Sequence, residues 1–323
     1  MCFATLQRSF VLGNTVPFVQ QLQALLLLLS VSCCVLASPT AEPKQPPAQH
    51  AAASKPSAPR ADVRSAAYVV VDERSSEVLL EKDADTAVPI ASITKLMAAL
   101  VVLEAGQPLD EVLKITQDDR MIDPGGRSRL AVGASLTRGE LLRLSLMSSE
   151  NRAANAVGRN YPGGLPSLLQ AMNAKAKALG MKSARFVDAT GLSSGNVSSP
   201  RDLVKLVNAA ARHPLIREYS TDPEETVIVG KQVLEYRNTN QLVGKPDWDI
   251  LVQKTGFTNA AGQCLVMKAI IDDRPIVMVL MNSFGKLTRV ADARRVRKWM
   301  ASTQESQHYA QGQSGARARH ASP

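Results

Sequence analysis

The segment that most constrains this chain is the run from Ser92 to Ala105, Ser-Ile-Thr-Lys-Leu-Met-Ala-Ala-Leu-Val-Val-Leu-Glu-Ala, which Gly106 ends. It is apolar almost all round, so as a helix it has no face for water and must pass through the centre of a domain. Yet its first turn carries Ser92 and Lys95, three residues apart and on one face. A hydroxyl and an amine at the start of a buried helix demand partners from elsewhere in the chain.

Two further polar triplets follow in order, Ser149-Glu150-Asn151 and Lys254-Thr255-Gly256. Each occurs by chance in many proteins. In this order they describe a serine nucleophile with a neighbouring lysine base. A serine hydroxyl needs a base to take its proton, and histidine is the usual one. His50 precedes the folded part, and His308 and His320 follow it. His213 is the one histidine left, and it stands before Pro214 at an expected helix end, where terminal carbonyls are its natural partners. Lysine takes the role instead, provided that burial and a second cation lower its pKa. Lys254, facing Lys95 across a cleft, is the expected second cation.

Ser149 and Asn151 are expected on the opposite wall, where a hydroxyl relays a proton and an Asn holds a substrate amide. Lys254 and Thr255 suit a substrate carboxylate. Gly256 removes a side chain that would block an extended peptide from pairing with the strand. The backbone N–H groups of Ser92 and Phe257 suit a developing oxyanion. Each motif has a plainer alternative: an N-cap for Ser92, a snorkelling lysine for Lys95, a capping pair for Ser149 and Asn151, and a turn for Gly256.

The 323-residue chain carries a net charge of +9. An apolar stretch from Leu22 to Ala37 resembles a signal peptide cleaved after Ala37, although a single-span anchor is the alternative. Residues 38–61, with six prolines from Pro39 to Pro59, read as a disordered tether, and 302–323 as a disordered tail. The folded domain is expected over 62–301. An exported, periplasmic chain with few aromatics and no dense Lys/Arg run is a poor nucleic-acid binder. Its charge fits electrostatic association with an anionic cell wall, or simply a solvated surface. Cys264 is the one cysteine beyond the leader and reads as a small buried hydrophobe. No Cys/His cluster has metal-binding spacing, and no cofactor is expected.

Around the motifs, Ala66–Val71 and Glu77–Glu81 predict a hairpin, and Thr137-Arg138-Gly139-Glu140 is a capping box for a helix through Met147. Helices are expected from Ser149 to Asn160, from Leu165 to Leu179, after the Ser199-Pro200 cap, and from Leu287 to Met300. Strands are expected at 226–229, 232–236, 250–257, 263–271 and 275–281. The pattern is α+β, an antiparallel sheet with a helical subdomain beside it.

The motif set S-x-x-K, S-D-N and K-T-G belongs to penicillin-binding proteins and class A β-lactamases. Here the middle triplet is S-E-N. The stretches Pro89–Met97, Met147–Ala154, Phe186–Ser198 and Lys254–Thr258 resemble the low-molecular-mass serine D-Ala-D-Ala peptidases, most closely the penicillin-binding protein 7 type endopeptidases. The resemblance implies a β-lactamase/transpeptidase-like fold and acyl-enzyme chemistry on Ser92 with Lys95 as base. Ser149 and Asn151 would be the relay and positioning pair, and Lys254 and Thr255 the carboxylate site. Peptidoglycan stem peptides and cross-links would be substrates and β-lactam antibiotics inhibitors. No deacylating Glu in an E-x-x-L-N context lies between the second and third motifs, as a class A β-lactamase would need; Asp188 is the nearest acidic residue, in different surroundings. A D-Ala-D-Ala carboxypeptidase, and a non-catalytic β-lactam or wall-binding module on the same fold, are the alternative functions.

Overall fold

In the computed structural model, residues 61–123, 126 and 128–303 are described, all within the compact unit Lys55–Pro323. The expected signal segment, nearly all of the tether and nearly all of the tail lie outside the described residues. Five strands form the main antiparallel sheet: β1 (Ser65–Asp72), β2 (Glu77–Lys82), β9 (Asp249–Thr258), β10 (Gly262–Ile271) and β11 (Arg274–Ser283), in the order β2-β1-β11-β10-β9. The last strands of the chain thus pair with the first, and β9 is left at the edge.

Alternation along these strands builds two cores. Val69, Val266, Val279 and Met281 point to one face and pack with the helical block. Val70, Leu265, Met267, Met278 and Leu280 point to the other, where Val290, Ala293 and Val296 of helix α8 (288–303) cover them. The register aligns Val69 with Val279, Val279 with Val266, and Val266 with Lys254. A row of valines on the helical face therefore ends, at the sheet edge, in a lysine.

The remaining helices are α1 (Thr94–Glu104), α2 (Gln117–Met121), α3 (Arg138–Met147), α4 (Asn151–Arg159), α5 (Gly164–Ala178), α6 (Pro200–Ala211) and α7 (Pro214–Thr221). α1 is buried over nearly its whole length, Leu96, Met97, Ala99 and Val102 being almost wholly inaccessible to water. The capping box at Thr137 and Glu140 opens α3 as its sequence predicts, worth about 1 kcal/mol. Ser199 caps α6 and Pro200 begins it.

Three two-residue to six-residue ribbons complete the fold: β3 (Val88–Pro89) with β6 (Val197–Ser198), β4 (Val112–Lys114) with β5 (Ser135–Thr137), and β7 (Glu224–Val229) with β8 (Gln232–Arg237). The strands expected near 226–236 form, but they pair only with each other. Apart from Val227 and Tyr236 their side chains are too exposed to have been drawn into the main sheet. The short helices α2 and α7 were not expected from the sequence. α2 has five residues, too few for a periodic signal. His213 differs from expectation too. It stands at the N-cap of α7, and its imidazole Nδ1 is buried without a hydrogen-bond partner rather than bonded to helix carbonyls.

Candidate active site

Ser92 does not cap α1. It lies in a single 3₁₀ turn, Ala91–Ile93, that runs directly into the helix, and no side-chain cap bond is made there. Ala91 has φ +47°, the left-handed region that L-residues avoid. Two contacts hold it. The Thr94 hydroxyl donates to the Ala91 carbonyl at 2.8 Å. Gly191 lies against the same carbonyl, so closely that a Cβ there would be 1.9 Å from the oxygen, and its own φ of +86° is also a glycine conformation. A strained residue just before the serine is the kind of geometry that persists only when its surroundings over-determine it.

Lys95 is fully buried, and its Nζ reaches the Ser92 Oγ at 2.7 Å, the Asn151 Oδ1 at 2.8 Å and the Thr190 carbonyl at 2.7 Å. The first motif and the Asn of the second are therefore brought together. Burial lowers the Lys95 pKa to about 7, against the opposing pull of the Asp188, Glu150 and Asp123 carboxylates.

Ser149 and Asn151 do not cap each other. The cap of α4 is Glu150, whose carboxylate accepts from the Arg152 N–H at 3.1 Å. Ser149, between α3 and α4, has φ +63°. Asn151 opens α4 and donates from Nδ2 to Asp123 Oδ2 at 2.8 Å. A cleft of about 200 Å³ is lined here by Asp123, Ser128, Ser148, Ser149, Glu150 and Asn151.

The third motif lies at the end of the edge strand β9. Lys254 is fully buried and donates to the Thr255 carbonyl at 3.0 Å. Burial, followed by the nearby charges of Lys95 and Arg289, pushes its pKa well below the ordinary lysine value. The Thr255 and Thr239 hydroxyls are 2.6 Å apart, and the Thr239 N–H donates to the Met147 carbonyl at 3.1 Å, tying β9 to the end of α3. Gly256 has a packing reason as well. A Cβ there would lie 3.1 Å from Ile90 O and 3.1 Å from Ser92 N, so the glycine lets β9 close against the serine turn. Phe257 follows and is 56% exposed.

Four partners escaped the sequence reading. Thr190 lies in a loop that Asp188 organises: its Oδ1 accepts from the Thr190 and Gly191 N–H groups, each at 2.6 Å, and its Oδ2 from Ser193 N–H and Asn196 Nδ2, each at 2.8 Å. The stretch 186–198 stood out in sequence, but the backbone carbonyl it delivers carries no side-chain signal. Asp123 reads as part of a turn, Thr239 as a loop threonine. Arg289, on α8, donates to the Gly256 carbonyl at 2.7 Å. Cys264 is buried as expected, its thiol pushed up to about 11 by desolvation. Among the described residues no group of His, Cys, Asp and Glu could hold a metal, and no helix is long and apolar enough to cross a membrane.

This architecture, an antiparallel sheet with a helical block carrying the serine turn, is the β-lactamase/transpeptidase-like fold of serine D-Ala-D-Ala peptidases. Residues 51–285 match the D-alanyl-D-alanine carboxypeptidase family, peptidase S11. The chain belongs to that family. It is 45% identical over 285 residues to a D-alanyl-D-alanine endopeptidase of Pseudomonas aeruginosa, covering 88% of each chain. With a D-alanyl-D-alanine endopeptidase of Escherichia coli it shares 44% identity over 272 residues, 84% of this chain and 88% of the other. Penicillin-binding protein D2 of Listeria monocytogenes, solved in a cefotaxime-bound form, superposes with a TM-score of 0.66 at 29% identity, over 75% of this chain and 98% of that one. The Streptomyces K15 DD-transpeptidase shares the fold, with a TM-score of 0.68 at 24% identity over 73% of this chain and 97% of that one.

Proposed function

We propose that the protein is an exported D-alanyl-D-alanine endopeptidase that opens peptidoglycan cross-links through an acyl-enzyme on Ser92. The observation that carries the reading is the set of partners around the Lys95 amine. Thr190 O and Asn151 Oδ1 can only accept, so a neutral amine uses both its N–H groups on them. Its lone pair is then left facing the Ser92 hydroxyl.

Ser92 Oγ attacks the carbonyl carbon of a D-alanyl bond while Lys95 Nζ takes the hydroxyl proton. The oxyanion faces the N–H groups of Ser92 and Phe257. The C–N bond then breaks, and the Ser149 hydroxyl passes the proton from Lys95 to the leaving amine. In deacylation, water gives a proton to Lys95 Nζ and attacks the ester carbonyl; the bond from the acyl carbon to Ser92 Oγ then breaks, the stem leaves as its carboxylic acid, and Lys95 returns the proton to Ser92 Oγ. Lys254 and Thr255 hold a substrate carboxylate. An extended stem peptide lies along β9, whose edge position leaves one side of the strand unpaired in the main sheet. β-Lactams acylate the same serine, which agrees with the cefotaxime-bound state of the Listeria relative. The net charge of +9 favours approach to an anionic wall.

The endopeptidase assignment follows the names of the Pseudomonas and Escherichia relatives. The same acyl-enzyme serves a carboxypeptidase, and only the leaving group differs. Competition between cross-linked muropeptide dimers and pentapeptide monomers in one tube tests the choice, with products identified by mass. Separated stems should appear faster than free D-Ala. The reverse order makes the protein a carboxypeptidase, and no turnover of either makes it a binding module.

A further inference from the structure

Helix α2 and the turn after it form a polar ladder on α4 whose carboxylates the reaction above does not use. Asp119, fully buried, accepts from Asn155 Nδ2 at 2.8 Å and from Arg159 Nη2 at 3.1 Å. It also closes its own helix, accepting from Thr116 N–H at 2.8 Å. One turn further along, Asp123 Oδ2 accepts from Asn151 Nδ2 at 2.8 Å. The carboxylates are thus four residues apart, and so are the α4 residues they meet: Asn151, Asn155 and Arg159 lie on one helix face. Asp119 clamps the body of α4. Asp123 sits at the end that enters the active site and lines its cleft.

We infer that Asp123 is a positioning residue for acylation: its carboxylate fixes the Asn151 amide so that Oδ1, not Nδ2, faces Lys95. The reasoning rests on the proposed role of Ser92 and Lys95. A carboxylate can only accept, so it draws the Asn151 NH₂ group towards itself and leaves the amide oxygen for the amine. With the amide turned over, Asn151 would present an N–H to Lys95. The amine would then direct its lone pair at Asn151 instead of at Ser92, and the base would be lost. Asp123 also places a negative charge near Lys95, as do Asp188 from its loop and Glu150 from the α4 cap, while Lys254 opposes them from β9.

The test compares Asp123→Ala and Asp123→Asn with the unaltered protein, measuring acylation by a fluorescent penicillin from pH 5.5 to 9 and Tm in parallel. Loss of the forced amide orientation removes one charge-assisted hydrogen bond, so Asp123→Ala should acylate about 10- to 100-fold more slowly. Asp123→Asn keeps the shape and an amide oxygen that can still accept, so its rate should fall less. In both, the pH midpoint of acylation should move down, because a charge that favours protonated Lys95 is gone. A purely structural role would lower Tm and the amount of active protein but leave the midpoint in place. An unmoved midpoint in folded variants, or acylation at the original rate, overturns the inference. Ser92→Ala separates this failure from a wider one: if that variant still labels, the serine assignment itself is wrong.

Discussion

Lys95 and Lys254 are equally buried and close enough for their charges to act on each other, yet their surroundings are opposite. Lys95, on the helix, has an acceptor for every hydrogen it carries as a neutral amine, and three carboxylates lie near enough to moderate its loss of charge. Lys254, on the strand end, donates to one backbone carbonyl, and the charges closest to it are the cations Lys95 and Arg289. A lysine placed like the first is complete without substrate and is suited to moving a proton. A lysine placed like the second lacks a counter-charge, and an arriving anion would supply one. Burial lowers both pKa values. The number and sign of the neighbours assign the two amines different work.

The largest effect that would break this comparison is the loss of the base. Lys95→Met should reduce β-lactam acylation by roughly 10²- to 10⁴-fold, the usual contribution of a general base, with the fold retained. In the unaltered protein the acylation rate should fall about tenfold per pH unit below a midpoint near 7 and level off above it, because the neutral amine is the active form. A rate flat from pH 5.5 to 9, or normal acylation of the Met variant, would remove Lys95 from the role of base.

A smaller effect separates the second lysine. Lys254→Met should weaken acylation by a carboxylate-bearing β-lactam about 10- to 100-fold, as expected when a buried charged hydrogen bond is lost. The esterified form of the same β-lactam should lose much less. Equal losses for acid and ester would show that Lys254 shapes the site without holding the anion.

The effect that leaves the acylation rate aside is one of stability. Lys95 has a folded pKa of about 7, below its unfolded value, so between pH 7 and about 10.4 the unfolded chain binds the extra proton. Stability from this group is therefore greatest at high pH, declines as pH falls through that window and is level below it. The Tm advantage of Lys95→Met over the unaltered protein should widen between pH 10 and 7. A constant difference would mean that the lysine is not desolvated as the geometry implies.

Sequence patterns that act over a few residues were legible from the start. The apolar run of α1 reads as a buried helix because every face of it needs cover. The Thr137–Glu140 box and the Ser199-Pro200 cap mark helix starts because their bonds close within one turn. Alternation marked β9 to β11 because a strand has only two faces. The contact between Ser92 and Lys95 followed from their spacing alone.

The residues that complete the site are decided at longer range. The Thr190 carbonyl meets Lys95 across 95 residues, Asn151 meets it across 56, and Asp123 meets Asn151 across 28. Gly256 is a glycine because a distant turn presses on it, which nothing on β9 itself reveals. The ribbon β7–β8 has the alternation of a strand pair, but local pattern does not say which sheet a strand joins; the burial of whole faces settles that. Which side chains could do the chemistry was readable from the chain alone, because nucleophile, base and cation are properties of residue type and near spacing. Which amine is surrounded by acceptors and carboxylates, and which lacks a counter-charge, follows from long-range packing. That depends on backbone carbonyls and buried charges that packing brings together from segments with no local relation to one another.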